Sequence, residues 1–271
     1  MDFPRILKKR KGYIERIKPF MRKSVAKVLT GQRRVGKSFL LYQLIEEILG
    51  EEPNANIIYI NLEDFEFSSL QTAQDLHSYI ISQSQKKDKN YIFIDEIQDI
   101  PGFEKVIRSL LLNEDNDIYI TGSNANMLSG ELATYLSGRY IEFKIYSLSY
   151  LEFLEFHGLT DNEKSYELYS RYGGLPYLLN LPLEDETVNE YLKSIYSTIV
   201  FRDVVSRYKL RNTLFLEKLI QFLSENIGNL FSAKNISDYL KSQHATVSVN
   251  QIQNYTCLLY TSPSPRDKRQ S

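Results

Sequence analysis

The fold of this chain is decided by eight residues, which read Gly31-Gln32-Arg33-Arg34-Val35-Gly36-Lys37-Ser38. They match the spacing G-x-x-x-x-G-K-[ST] at every fixed position. The residues before them, 25–29, are mostly apolar and include two valines, which predicts a buried strand. The residues after them, 39–49, repeat apolar side chains at helical spacing. The sequence therefore predicts a strand, a glycine-bearing loop and a helix in succession.

This succession is the one that polyphosphate binding needs. Gly31 and Gly36 permit backbone angles that a side chain forbids, so the N–H groups of the loop can surround phosphate oxygens at the positive end of the helix. Lys37 is predicted to reach the β- and γ-phosphates of ATP, and the Ser38 hydroxyl to bind Mg²⁺. A glycine turn before an ordinary helix is the structural alternative, and the flanking segments disfavour it. The predicted nucleotide-binding residues are Gly31, Gln32, Arg33, Arg34, Val35, Gly36, Lys37, Ser38 and Phe39.

Length and composition indicate a globular chain. It has 271 residues, of which 42% are hydrophobic and 25% are charged, enough for one large or two modest domains. No apolar run approaches the length of a membrane span, and the basic N-terminus is not followed by the hydrophobic segment of a secretory signal. We therefore expect a cytoplasmic location.

Residues 257–271 are expected to be a non-native tail. From Cys257 to Asp267 they resemble the translation of a transposase end and adapter used to build sequencing libraries, and a native Ser/Pro-rich tail is the alternative. Cys257 is the single cysteine of the chain, so residues 1–256 exclude thiol chemistry, disulfides and cysteine metal sites. The tail also carries a surplus of two positive charges, so residues 1–256 have a net charge of −3 where the whole chain has −1. We expect the natural protein to continue beyond this fragment.

Residues 1–23 are strongly basic, with apolar and aromatic side chains interleaved. Such a segment can bind nucleic acid or the acidic face of a neighbouring subunit. It can equally form a solvated amphipathic helix packed beside the phosphate loop. The balanced charge of the whole chain favours the helix. Its basic residues include Lys8, Lys9, Arg10, Lys11, Arg16, Lys18, Arg22 and Lys23.

Two acidic residues mark a second motif. Strands predicted at 57–62 and 91–94 alternate with a helix at 72–86, which indicates an α/β fold with a parallel sheet and helices on both faces. Asp95 and Glu96 end the later strand, at the edge where open α/β sheets bind ligands. Adjacent acids are common in loops, but their position after the phosphate loop matches a Walker B motif. Asp95 is predicted to hold Mg²⁺, mainly through water, and Glu96 to deprotonate the attacking water.

Two further candidates for catalysis lie at strand ends. The strand predicted at 117–121 leads into Ser123 and Asn124, either of which can contact the γ-phosphate and the water; a turn of small polar residues is the alternative. Arg139 follows a helical stretch and precedes a strand predicted at 140–145. It can neutralise charge on the γ-phosphate of a neighbouring subunit. A surface arginine at the C-terminus of a helix is the alternative.

The second half of the chain is predicted to be helical. The glycines at 173 and 174 end one helix, and Pro176 can begin the next. Helical patterns at 214–225, 232–242 and 249–259 have the outline of a helix-turn-helix. We therefore predict four parts, namely a P-loop ATPase core at 1–148, a helical lid at 149–208, a partial winged helix at 209–256 and the non-native tail at 257–271.

The motifs together resemble the prokaryotic AAA-type P-loop ATPases that join an ATPase core to a winged-helix segment and a C-terminal restriction-endonuclease-like domain. The resemblance covers about residues 10–256 and implies that Arg139 occupies an arginine-finger position and that Pro176 lies near the adenine base. The C-terminal domain is missing, so the resemblance implies no DNA cleavage by this fragment. The motifs that carry it lie at 31–38, 92–98, 119–124, 136–140, 173–176 and 201–208.

These observations predict an ATPase that hydrolyses ATP to ADP and phosphate with Mg²⁺ as a conformational switch. Self-association and a DNA or protein client are the expected partners beside ATP. One alternative is an ATP-controlled DNA-binding regulator with little turnover. A small-molecule kinase is a second alternative, which the acid pair at 95–96 and the lack of an evident acceptor-binding segment disfavour.

Overall fold

The computed structural model describes residues 8–85, 89–122, 136, 138–199, 205, 213–242 and 247–261. Backbone contacts divide the chain into two compact units, one reaching Glu184 and one running from Asp185 to Ser264. The boundary between the units falls inside the lid predicted at 149–208, and the four-part division remains a prediction.

The first unit is built on a sheet of five parallel strands in the order β2-β3-β4-β1-β5. This arrangement confirms the predicted α/β fold of the P-loop NTPase type. Because β4 lies between β1 and β3, its carboxyl end separates the loop after β1 from the acids after β3. The strands are β1 Ala26–Thr30, β2 Asn56–Asn61, β3 Asn90–Asp95, β4 Asn116–Gly122 and β5 Tyr140–Lys144.

Six α-helices are described in the first unit, each within a few residues of a helix that the sequence indicates. Capping boxes begin two of them, formed by the N-cap Thr72 with Asp75 in the third helix and by the N-cap Ser149 with Glu152 in the fifth. The helices are α1 Lys11–Ile17, α2 Lys37–Glu51, α3 Ala73–Gln83, α4 Phe103–Leu110, α5 Tyr150–His157 and α6 Glu163–Tyr172.

The hydrophobic core of this unit lies on both faces of the sheet. In β3, Ile92 and Ile94 pack on one face with residues of α3 and α4, and Tyr91 and Phe93 pack on the other face with residues of α1 and α2. Alternate side chains of a strand point to opposite faces, so a strand covered on both sides reads as one continuous apolar run. This burial explains why the strands were predictable from the sequence.

The basic N-terminal segment packs along α2. Lys9 and Lys18 pair with Glu47 at 2.7 and 3.4 Å, and Arg22 pairs with Glu51 at 2.8 Å. The apolar side of α1 is buried in the same cluster as α2. The predicted amphipathic helix is therefore confirmed as α1, and acidic side chains of α2 pair with three basic residues that flank it.

The second unit is helical in its described part. Its helices are α7 Asp185–Thr198, α8 Thr213–Glu225, α9 Ala233–Ser242 and α10 Val249–Thr261. A buried cluster that includes Phe215, Leu219, Ile236 and Ile252 joins the last three. Of the motif at 201–208, only Val205 lies among the described residues. None of the helices that the structure describes is long and apolar enough to cross a membrane.

Candidate nucleotide-binding site

The loop after β1 has a backbone that depends on its glycines. Gly31 has a φ of 148°, and a Cβ there would clash with the carbonyl oxygen of Ile145. Gly36 has a φ of 93° in the left-handed region, and Arg34 between them has a φ of 69°. Glycine adopts such angles without steric cost, whereas other residues do so rarely and mostly at functional sites. The loop therefore has the curled path that the motif predicts.

The N-terminus of α2 suits an anion. The helix begins at Lys37, and its N-cap Gly36 supplies no side-chain cap. The first backbone N–H groups of a helix have no partner within the helix and carry a partial positive charge. With the loop folded around this end, the arrangement fits a polyphosphate group.

Lys37 lies over the loop. Its side chain is 4% exposed, and Nζ donates to the carbonyl oxygens of Gly31 and Gln32 at 3.1 and 3.2 Å. Nζ also lies 3.6 Å from Oε1 of Glu96. Burial lowers the pKa of Lys37, although the nearby carboxylates of Glu96 and Asp95 act in the opposite direction. The ammonium group is therefore held at the loop by two carbonyl oxygens and one carboxylate.

Asp95 and Glu96 are both buried at the carboxyl end of β3, with 2% and 7% of their surface exposed. Burial raises the pKa of Asp95, against hydrogen bonds from the hydroxyls of Ser38 and Thr121. The structure thus brings together Ser38 and Asp95, the two residues predicted to bind Mg²⁺. The carboxylates of Asp95 and Glu96 and the hydroxyl of Ser38 supply oxygen atoms of the kind that a divalent cation prefers.

Glu96 is fixed through three of its groups. Its backbone has a φ of 56°, and its N–H donates to Oγ1 of Thr121 at 3.0 Å. Its Oε2 accepts a hydrogen bond from Nε2 of Gln98 at 2.7 Å, while Oε1 faces Lys37. The sequence reasoning missed Thr121 and Gln98. The position of Thr121 at the end of the neighbouring strand was the signal that could have identified it.

Pro176 lies beside the phosphate loop. A Cβ on Gly36 would sit 3.7 Å from Cγ of Pro176. The segment is anchored by Gly174, whose carbonyl oxygen accepts from the N–H of Leu148 at 2.7 Å and whose Cα leaves no room for a side chain against Leu148. The motif at 173–176 thus lies at the phosphate loop. The contact of Pro176 with the adenine base remains a prediction.

Arg139 is not brought to the site of its own chain. Its side chain is exposed, and its carbonyl oxygen accepts from the N–H of Ala26 at the amino end of β1. The phosphate loop follows the opposite end of that strand, about 13 Å away at roughly 3.3 Å per residue. Ser123 and Asn124, the other candidates for contact with the γ-phosphate, lie outside the described residues.

The sequence reasoning misjudged Arg10, which was expected to be solvated and is 4% exposed. Its guanidinium donates to both carboxylate oxygens of Glu152, each at 2.9 Å. It also donates to the carbonyl oxygens of Val35 at 3.3 Å and Tyr146 at 2.8 Å. Arg10 therefore ties the N-terminal segment to the phosphate loop and to the start of α5.

The protein ligands for a metal ion are few. Within the described ranges, no three or more His, Cys, Asp or Glu side chains form a metal-binding cluster. Mg²⁺ commonly binds through one or two protein oxygens together with substrate phosphates and water. Ser38 and Asp95 fit that mode of binding and would not form a site of their own.

The fold and the loop define the class of this protein. Residues 23–154 match the family model described as an AAA domain. This match and the loop geometry support nucleotide binding. Residues 163–263 match a second family model, described as a domain of unknown function. The second match and α10 both extend past residue 256, and the origin of the tail remains a prediction.

Two relatives and one solved structure resemble the chain. A protein of Haemophilus influenzae described as uncharacterized is 38% identical over 257 residues, which cover 92% of this chain and 64% of that protein. An uncharacterized protein of Methanocaldococcus jannaschii is 32% identical over 242 residues, which cover 84% of this chain and 53% of that protein. The Aeropyrum pernix ORC1 protein in complex with DNA gives a TM-score of 0.46 at 15% identity, covering 95% of this chain and 84% of that one. The chain thus spans between half and two thirds of the length of the two uncharacterized relatives.

Proposed function

We propose that this chain binds ATP with Mg²⁺ and hydrolyses it to ADP and phosphate, and that the reaction serves as a conformational switch. The observation that carries this proposal is the meeting of Lys37, Ser38, Asp95 and Glu96 at one edge of the sheet, beside the uncapped start of α2. Each of these side chains has a separate task in phosphoryl transfer.

The tasks follow from the groups present. Lys37 would exchange its bonds with two loop carbonyls for the stronger attraction of the β- and γ-phosphates. Ser38 and Asp95 would hold Mg²⁺, directly or through water. Bound Mg²⁺ would withdraw charge from the phosphates and so ease cleavage between them. Glu96 would orient a water molecule and accept its proton on a carboxylate oxygen, because that carboxylate sits next to the metal ligand.

A switch needs an element whose position depends on the nucleotide. The segment at 173–176 contacts the phosphate loop near Gly36 and leads from α6 into a 3-10 helix, Pro176–Asn180. A nucleotide in the loop would add contacts to this segment, and loss of the γ-phosphate would change the charge beside it. The helices that follow are the parts we expect to respond.

Two variants test the assignment. Lys37→Ala should abolish ATP binding in calorimetry, because it removes the charge that partly neutralises the phosphates. Glu96→Gln should retain binding and lose single-turnover hydrolysis, because the amide keeps the shape of the carboxylate and cannot accept a proton. The matched controls are Lys11→Ala and Glu114→Gln, whose side chains are exposed.

Two results would count against these assignments. Micromolar binding of ATP by Lys37→Ala would exclude the loop as the nucleotide site. Unchanged hydrolysis by Glu96→Gln would remove Glu96 as the base.

A DNA-binding regulator with little turnover is the second candidate. It is favoured by the helix-turn-helix outline of α9 and α10 and by exposed amide side chains at Asn250, Gln253 and Asn254, which share one side of α10. Asn and Gln pair with adenine in the major groove. If the chain is such a regulator, its affinity for duplex DNA should fall steeply as the salt concentration rises and should change when ATP is added. ATP turnover should then stay near background.

A further inference from the structure

Thr121 links the two acidic residues of the candidate site through one hydroxyl group. The residue is fully buried at the end of β4, the strand next to β3. Its hydroxyl donates a hydrogen bond to Oδ1 of Asp95. The same oxygen accepts the backbone N–H of Glu96 at 3.0 Å. One side chain therefore contacts the predicted metal ligand and the backbone of the predicted base.

The position of Thr121 explains why a side chain is needed at this point. The register of backbone pairing between β3 and β4 runs to Ile94 and Ile120. Just past this register, the chain turns at Glu96 into the left-handed region with a φ of 56°. A buried N–H without a partner is costly, and the threonine hydroxyl supplies the partner that the neighbouring strand no longer provides.

The other oxygen of Asp95 also faces Tyr59. The Tyr59 hydroxyl lies 3.5 Å from Oδ2 of Asp95 and 3.1 Å from the hydroxyl of Tyr42. At 3.5 Å, the hydrogen bond from Tyr59 is weak. The hydroxyl of Ser38 also donates to this carboxylate, so Thr121 from β4 and Ser38 from α2 together set its rotation.

We propose that Thr121 is a positioning residue for ATP hydrolysis, which sets the orientation of Asp95 toward Mg²⁺ and the place of Glu96 relative to the attacked phosphate. This inference rests on the proposed ATPase function and adds to it. Groups that orient a metal ligand from behind typically change metal affinity or activity by about 10- to 100-fold when they are removed. The loop that binds the phosphates does not include Thr121, so ATP binding without metal is not expected to depend on it.

The test compares Thr121→Val, which has nearly the same shape without the hydroxyl, with Thr121→Ser, which keeps the hydroxyl. Thr121→Ala is the second variant without a hydroxyl and leaves more room in the core. Thr30→Val is the matched control, because Thr30 is also buried at a strand end and donates to a carboxylate, that of Glu142, at 2.6 Å. For each chain we would measure melting temperature, ATP binding in EDTA, kcat and the Mg²⁺ concentration for half-maximal turnover.

We expect Thr121→Val and Thr121→Ala to lower kcat by about 10-fold or more and to raise the half-maximal Mg²⁺ concentration by about 10-fold. ATP binding in EDTA should stay within about threefold of the native value, since the loop contacts of the phosphates are unchanged. Thr121→Ser should restore both parameters to within about threefold, and Thr30→Val should keep the native Mg²⁺ dependence even if it melts earlier.

Native kcat and Mg²⁺ dependence in either hydroxyl-free variant would overturn the inference. Equal losses in Thr121→Ser and Thr121→Val would overturn it as well, because shape would then matter and the hydroxyl would not. If the native chain itself neither binds nor hydrolyses ATP, the proposed function fails and this role fails with it. Native turnover together with an unaffected Thr121→Val removes only the role of Thr121.

Discussion

Replacing Arg10 with methionine should destabilise the first unit and loosen the phosphate loop. The change removes two charged hydrogen bonds to Glu152 at 2.9 Å and leaves the carbonyl oxygens of Val35 and Tyr146 without this donor. Breaking a buried ion pair from one side costs roughly 3–5 kcal/mol. Because the Glu152 side chain is 26% exposed, water compensates part of the loss, and we expect about 3 kcal/mol.

A loss of this size is measurable as a melting shift. For a unit of about 150–250 residues, each kcal/mol lowers the melting temperature by roughly 2–4 °C, so we expect a fall of about 6–12 °C. Calorimetry and circular dichroism on the whole chain would follow it, since the chain has no tryptophan for fluorescence. Arg16→Met is the matched control, because Arg16 lies on the adjoining α1 and its side chain is exposed.

A double-mutant cycle separates the ion pair from lost packing. Arg10→Met, Glu152→Gln and the double variant should show a coupling energy of about 1 kcal/mol or more. Burial would raise the pKa of Glu152, but the hydrogen bonds from Arg10 and Ser149 outweigh it and lower that pKa. The stabilisation by ionised Glu152 is therefore present above the unfolded pKa of about 4.3 and is lost as the pH falls through the folded value. A coupling energy below about 0.5 kcal/mol at pH 7 would refute the reasoning.

Three further predictions concern other parts of the chain. Arg139→Ala should bind ATP normally and hydrolyse it at least about 10³-fold more slowly, and it should regain part of its turnover when mixed with a Lys37→Ala chain that supplies Arg139. If the native chain changes from monomer to oligomer and its turnover per subunit stays the same, this prediction is wrong. Ending the chain at Thr256 should leave melting temperature and nucleotide affinity unchanged, and a loss of several degrees would show that the tail belongs to the fold. Lys27 and Asp117 form a fully buried ion pair. Asp117→Ala should lower the free energy of unfolding in urea by about 3–5 kcal/mol, because it leaves the charge of Lys27 buried without this partner, and the double variant Lys27→Met with Asp117→Leu should lower it less. Equal losses in the two variants would show that the uncompensated charge is not the cause.

The strands and helices were predictable because their signals are local. A strand buried on both faces must be apolar at successive positions, as at 91–94, and the register of β3 confirms that prediction. The loop at 31–38 was also predictable from the sequence, because a side chain at position 31 would clash with the carbonyl oxygen of Ile145 and the position therefore requires glycine. The starts of α3 and α5 are also local, because each is stabilised by a capping box between residues three apart in sequence.

The burial of Arg10 was not predictable from its neighbours. A run of basic residues in sequence indicates a solvated surface, and three of its members, Lys9, Lys18 and Arg22, do pair with acids of α2. Arg10 differs because Glu152, its partner, lies 142 positions further along the chain. Only folding brings these two segments to the phosphate loop.

The sequence by itself determined the class of fold, the phosphate loop and the acid pair at Asp95 and Glu96, since each of these was predicted from runs of residues that are adjacent in sequence. Tertiary structure alone decided that the hydroxyl of Thr121 bridges that pair. The physical reason is strand order. Placing β4 between β1 and β3 sets which side chains meet at the carboxyl edge of the sheet, and no local pattern encodes that order.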